Sequence, residues 1–175
     1  ANLQMLTGNM GIPVGGVNPL RGQNNVQGAC DMGTLPNVFP GYQKVADAGS
    51  IEKFAQAWSL QQREQLFSDN TGLTVTEMID GCLTGNVKGL YILGENPLMT
   101  DPDLNHVREA MQASEFTVLQ EIFPSETADY ADVLLPGASF AEKSGTFTNT
   151  ERRIQLIRPA LTPPGEARAD WDIIS

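Results

Sequence analysis

Between residues 74 and 136 the apolar positions switch repeatedly between helical and strand spacing. Val75, Met78, Ile79 and Cys82 recur at helical steps after Thr74, which with Glu77 forms a Thr-x-x-Glu capping box, and Gly85 ends the segment. Leu90-Tyr91-Ile92-Leu93 is an unbroken apolar run between glycines, the pattern of a strand buried on both faces. The turn Gly94-Glu95-Asn96-Pro97 follows, and a helix is expected from Asp101 as N-cap with Pro102 in its first position. Leu104, Val107 and Met111 give that helix an inward stripe. Phe116–Leu119 reads as a second strand, Ser125 as the cap of a short helix through Tyr130, and Val133–Leu135 as a third strand stopped by Pro136. Strand–helix–strand–helix–strand with short connections predicts an α/β fold: three layers, a mostly parallel sheet with flanking helices, Rossmann-like in type. In open sheets of this kind ligands sit beyond the carboxyl ends of the strands. Those ends are Gly94–Pro97, Gln120–Phe123 and Pro136–Ser139.

The flanking segments read differently. Residues 9–45 form an ordered Gly-rich loop region with a polar, aromatic continuation; Gly11, Gly15, Gly16, Gly22 and Gly28 crowd its first part, with Pro13 and Pro19 among them. From Ile51 to about Phe67 the apolar positions Ile51, Phe54, Ala55, Trp58 and Leu66 predict a helix. Gly145–Ile157 reads as a hairpin around Asn149-Thr150-Glu151. The chain opens on the last turns of a helix ending at Gly8 and closes on the first turns of another, which suggests a single α/β domain, residues 1–175, excised from a larger polypeptide.

Charge and composition narrow the chemistry. The 175 residues carry 21 acidic and 11 basic side chains, a net charge of −10, which argues against a nucleic-acid binder with a basic face. No apolar run approaches the roughly 20 residues of a membrane span. Two cysteines without CxxC spacing and one histidine leave little room for a metal finger, a cluster held by this chain alone, or a histidine triad. Cys82 sits in an apolar stripe as a small buried hydrophobe, and His106 lies off its helix's stripe as a solvated side chain. Neither GxGxxG after the first strand nor GxxxxGK[ST] occurs. Arg152-Arg153 could clasp a phosphate, although an ion pair with an acidic neighbour is the commoner fate of such side chains.

Four segments are more specific. The run from Gly16 to Gly33, with Arg21-Gly22-Gln23-Asn24-Asn25 at its centre, resembles the segment leading into the third domain of molybdopterin-dependent formate dehydrogenases. Gly94–Leu98, Gln120–Phe123 with Ala131–Pro136, and Gly145–Gln155 match the same family in the same order. The resemblance implies a molybdopterin guanine dinucleotide carrying Mo or W, 4Fe-4S clusters elsewhere in the full-length subunit, and formate as substrate. It also implies other domains of the same subunit and iron–sulfur or flavin electron-transfer subunits as partners, and a cytoplasmic location. By the same resemblance Arg21 matches an arginine beside the metal that orients the substrate carboxylate. Gln23, Asn24 and Asn25 match a pterin edge, with turn-forming amides bonded to local backbone as the alternative reading. Gly94, Glu95, Asn96 and Thr100, then Gln120, Glu121, Ile122, Phe123 and Ser125, match dinucleotide-binding loops, and Arg152 a neighbour of the cofactor. No metal ligand is expected in this chain, and the segment alone is expected to be inactive. The alternatives are a domain of another molybdopterin enzyme, such as a nitrate reductase or a respiratory-complex relative, and a stand-alone nucleotide- or partner-binding module.

Overall fold

A computed structural model of the chain describes residues 2–17, 19–60, 67–68 and 70–175. Its backbone gathers into two compact units, Ala1–Asp69 with Thr146–Leu156, and Asn70–Gly145 with Ile157–Ser175.

The first unit opens with helix α1 (Asn2–Leu6), which Gly8 terminates at φ 70° as its sequence predicts. Inside the Gly-rich region lies a helix that periodicity did not reveal, α2 (Val26–Asp31). Its six residues include one aliphatic side chain larger than alanine, Val26, so no stripe announces it. A minimal two-stranded sheet follows, β1 (Val38–Phe39) against β2 (Gln43–Lys44). Helix α3 (Ala48–Ala57) is capped by Asp47, whose carboxylate accepts from Ser50 N–H at 2.7 Å. It begins three residues before Ile51 and ends at Ala57, so Ser59, Leu60 and Phe67 of the expected helix are not helical, and its residues 61–66 lie outside the described residues. Phe39, Phe54, Trp58 and Phe67 form the unit's apolar centre, with Phe39 and Phe54 ring centroids 4.7 Å apart.

The second unit carries the sheet. Helix α4 (Val75–Thr84) has the expected capping box of Thr74 and Glu77, and ends at left-handed Gly85. Strand β3 (Gly89–Leu93) runs parallel to β4 (Phe116–Glu121), and β4 parallel to β5 (Val133–Pro136), in the order β3-β4-β5. Between β3 and β4 come the four-residue helix α5 (Pro97–Thr100) and helix α6 (Leu104–Ala113). The cap of α6 is Asp103 (φ 54°), not Asp101, because Pro97 starts an extra turn and Asp101 is spent as that turn's extended C-terminal residue. Ile79, Cys82, Leu98, Val107, Met111 and Leu119 form the core, with Leu119 fully buried. Burying such a leucine contributes about 2 kcal/mol. Helix α4 contains Gly81 because Val87 passes over it: a Cβ there would lie 2.5 Å from Val87 Cγ2. Ser125 precedes a 3₁₀ turn, Glu126–Tyr130, rather than an α-helix, and its hydroxyl makes no capping bond.

One expectation about burial fails. Strand β3 is not covered on both faces: only Ile92 is buried, while Tyr91 and Leu93 are half exposed. The doubly buried strand is β4, which has a neighbour on each side. The hairpin strands β6 (Gly145–Thr148) and β7 (Ile154–Ile157) pair as expected, and α7 (Asp170–Ile174) closes the chain.

Candidate functional site

In the first unit, the loop Pro19–Gln27 and the hairpin tip Thr148–Thr150 enclose a cavity of about 480 Å³. Arg21 stands exposed in its wall, and among the described residues no carboxylate pairs with it. Gln23 and Asn24 line the same wall.

Asn25 turns its side chain elsewhere. Its Oδ1 accepts from Thr148 N–H at 2.9 Å, and its Nδ2 donates to the Thr146 carbonyl at 3.4 Å. The amide thus imitates a strand's peptide group against β6, which is the backbone-bonding alternative for this residue. Asn25 itself adopts φ 55°, a left-handed conformation that asparagine tolerates better than most residues. One turn on, Gly28 leaves the space that this side chain fills, since a Cβ at 28 would collide with the Asn25 amide.

Arg152 is likewise committed. Its Nη2 donates to Asp31 Oδ1 at 3.0 Å, and its guanidinium lies 5.9 Å from the centre of the Tyr42 ring. Gln27 Nε2 also donates to Asp31, at 2.9 Å. Partial burial favours the neutral acid at Asp31, but hydrogen bonds from Gln27, Arg152 and Tyr42, and the charge of Arg152, outweigh it and hold the pKa below the usual aspartate value. The ion pair expected from residue types alone is therefore present.

In the second unit, pairing of Leu93 with Gln120 and of Glu121 with Pro136 brings the loops after β3, β4 and β5 to one end of the sheet. Several polar side chains singled out from the sequence face inward there. Gln120 is 1% exposed; its Oε1 accepts from the Tyr91 hydroxyl, and its Nε2 donates to Asp170 Oδ1 at 2.9 Å. Lys143 closes the row on the other Asp170 oxygen. Asn96 Oδ1 accepts from Thr127 Oγ1 at 2.7 Å, and its Nδ2 donates to Glu126 Oε2 at 3.0 Å. That bond from Asn96 is the main cause of a lowered Glu126 pKa. Thr100 Oγ1 donates to Glu95 Oε1 at 2.7 Å, and Glu121 Oε1 accepts from the Ile122 N–H at 2.6 Å.

Two buried polar atoms at this end have no partner among the described residues: Ser125 Oγ and Asp101 Oδ2. Burial, then the neighbouring charge of Glu95, raises the Asp101 pKa against an opposing hydrogen bond from Thr100. Sequence reasoning missed Asp101 because the cap role absorbed it. The exposed side chains of Ile122 and Phe123 offer apolar surface beside the β4 end. An orphaned hydroxyl, an orphaned carboxylate oxygen and apolar surface suit the polar rim and flat face of a nucleotide; Gln120 and Asn96 hold the loops that present them.

Elsewhere, Cys82 is 2% exposed and burial raises its thiol pKa, as befits an inert core residue. His106 is partly exposed and pairs with Asp80 at 2.7 Å. Among the described residues no three His, Cys, Asp or Glu side chains converge as a metal site would require, and no helix is long and apolar enough to cross a membrane.

The family model described as molybdopterin oxidoreductase matches residues 1–175. The chain is 59% identical over 173 residues to the F420-dependent formate dehydrogenase subunit alpha of Methanocaldococcus jannaschii, covering 99% of this chain and 24% of that protein. It is 47% identical over 174 residues to formate dehydrogenase H of Escherichia coli, again covering 99% and 24%. The chain therefore spans about a quarter of the length of these relatives. Among solved structures, acetylene hydratase from Pelobacter acetylenicus superposes with a TM-score of 0.54 at 23% identity, over 59% of this chain and 15% of that one, a likeness of fold.

Proposed function

Because the chain belongs to the molybdopterin oxidoreductase family, we propose that it is one α/β portion of a formate dehydrogenase catalytic subunit that binds part of a molybdopterin guanine dinucleotide. The observation that carries this reading is the identity, near or above one half, with formate dehydrogenase subunits along essentially the whole chain. When bound, such a cofactor, with Mo or W at its centre, would supply the acceptor for the two electrons released as formate becomes CO2 and a proton. The 4Fe-4S clusters and the electron-accepting subunits belong to the rest of a cytoplasmic assembly.

Within that reaction Arg21 binds the substrate. A guanidinium offers a carboxylate two parallel charge-assisted hydrogen bonds, and Arg21 pairs with no carboxylate among the described residues. Asn25, Asp31 and Arg152 act one step back. They fasten α2 and the loop before it to the hairpin, which fixes where the Arg21 backbone sits. At the sheet end, Ser125 and Asp101 each keep a buried polar atom without a partner among the described residues, Asp101 to accept from N–H groups of a base and Ser125 to bond a ribose or phosphate oxygen. Thr100, Glu121 and the backbone of Gly94 and Glu95 shape the rim.

The test is kinetic. In the intact subunit, Arg21→Ala should lower kcat/KM for formate at least ~100-fold at unchanged metal and pterin content, and Arg21→Lys should restore part of it. Normal kcat/KM in a fully loaded Arg21→Ala enzyme would remove Arg21 from substrate binding. A loaded wild-type subunit that ignores formate and reduces another substrate would move the reading to a different branch of the family.

A further inference from the structure

We propose that Tyr42 is a positioning residue for formate: it braces both walls of the cavity that holds Arg21, and so sets where that guanidinium meets the carboxylate. This inference rests on the reading that Arg21 binds the substrate.

The first argument is the backbone. Tyr42 has φ 60° and Arg152 φ 61°, and Asn25, at the start of α2, has φ 55°. Asparagine tolerates the left-handed region, whereas a bulky tyrosine or arginine is an outlier there. Such strain persists only where the surroundings over-determine it, and it gathers at functional sites. These three residues come from separate stretches of the chain, yet each is tied to α2 or to the hairpin beside it.

The second argument is a closed circuit of contacts. The Tyr42 ring centre lies 5.9 Å from the Arg152 guanidinium. The Tyr42 hydroxyl accepts from Gln27 Nε2 at 3.3 Å and donates to Asp31. Gln27 and Arg152 both donate to Asp31 Oδ1, at 2.9 and 3.0 Å. Tyr42 is thus the member that joins Gln27 to Arg152 from the side away from Asp31.

The third argument is where the circuit leads. Gln27 lines the Arg21 cavity on the loop side, and Asn149 lines it on the hairpin side. Arg152 N–H donates to the Asn149 carbonyl at 2.9 Å, so the arginine beside the Tyr42 ring also shapes the hairpin tip. Tyr42 itself does not line the cavity, so it acts through these neighbours and not by touching formate.

The brace has a fixed base. A Cβ at Gly33, two residues beyond α2, would lie 2.7 Å from the Phe39 carbonyl carbon and 2.7 Å from the Pro40 nitrogen. The backbone leading to Tyr42 therefore passes directly against the end of α2. Gln43 Nε2 donates to the Pro40 carbonyl at 3.0 Å and closes the turn that carries the tyrosine.

Steady-state kinetics on the intact, metal- and pterin-loaded subunit test the proposal. Tyr42→Phe keeps the ring beside Arg152 and deletes the hydroxyl. A looser guanidinium weakens the hold on formate in ground and transition states alike, so KM should rise about fivefold or more with kcat within about twofold. In an Arg21→Ala background the same change should have no further effect, because the residue it positions is gone. Amide exchange at Ala29 and Met32, whose N–H groups bond the Asn25 and Gly28 carbonyls, should quicken at least ~threefold in Tyr42→Phe, reporting the brace without turnover. Should that variant fail to load its cofactor, Asp31→Asn opens the same circuit at its acceptor and should give the same rise in KM. An unchanged KM in a loaded variant would overturn the proposal, whether or not the amides quicken. So would an effect on KM that survives Arg21→Ala. Arg21→Ala alone separates the two readings. If its kcat/KM is normal, the substrate-binding reading falls and this one with it; if it is impaired while Tyr42→Phe is normal, only the role of Tyr42 falls.

Discussion

Leu119 in the second unit and Asn25 in the first each hold a segment in place, and they do so by different physics. Leu119 contributes apolar surface: it is completely buried in a core built from three helices and a parallel sheet. Asn25 contributes direction, two hydrogen bonds to the backbone of β6 from a residue whose own backbone is left-handed. The sheet unit tolerates changes that keep volume and apolarity. The loop unit depends on particular atoms at particular angles, and Gly28 has to be small to allow one of them.

The most damaging way to break this contrast is Leu119→Ala. Truncation in a packed core should cost about 3–4 kcal/mol, seen as a lower midpoint in chemical denaturation, with Leu119→Met losing far less. If both replacements cost the same, burial is not what holds the sheet unit together. Next in size is Asn25→Ala, expected to cost about 1–2 kcal/mol for two lost bonds. Asn25→Leu should do no better, despite its greater apolar volume. A Leu variant more stable than the Ala variant would make the loop unit a packing problem like its neighbour.

The smallest effect sharpens the comparison, because acid should move the two units in opposite senses. Asp31 has a lowered pKa, so its contribution is present above the unfolded value and is lost as pH falls through the folded one. Asp101 has a raised pKa, so its charged form is a burden above the folded value, relieved as pH falls through it. On acidification, relief around Asp101 should come first and loosening of the Asp31–Arg152 clasp later, at lower pH. Amide exchange of α2 and of α5 followed from pH 7 to 3 would show the order. Simultaneous loosening of both segments would contradict the two assignments.

The same contrast explains how much was legible in the sequence. Alternation of period fixed the parallel sheet, the Thr74 capping box and the hairpin, because each is announced by residues close together in the chain. Asp103 in place of Asp101 as the α6 cap is a competition between two nearby aspartates, decided by the extra turn that Pro97 starts. Exposure of β3 depends on what lies beside it, which its own residues do not record. At the sheet end, residue type named polar side chains but not their direction. Asn96 and Gln120 find partners 31 and 50 positions away in Thr127 and Asp170, and only folding reveals that those amides are already used.

Gln120 has a consequence of its own. Its carbonyl accepts a hydrogen bond from Tyr91 and its amino group donates one to Asp170, so the row runs donor to acceptor from Tyr91 through Gln120 to Asp170, where Lys143 donates from the other side. A side-chain amide is a neutral group that accepts at one atom and donates at another in such a row. Turned by half a rotation, it would face a carboxylate with its oxygen. The buried amide thus works as a one-way connector: it sets the orientation of the phenol on β3 and of the first turn of α7 at once, and it does so without placing a second negative charge beside Asp170.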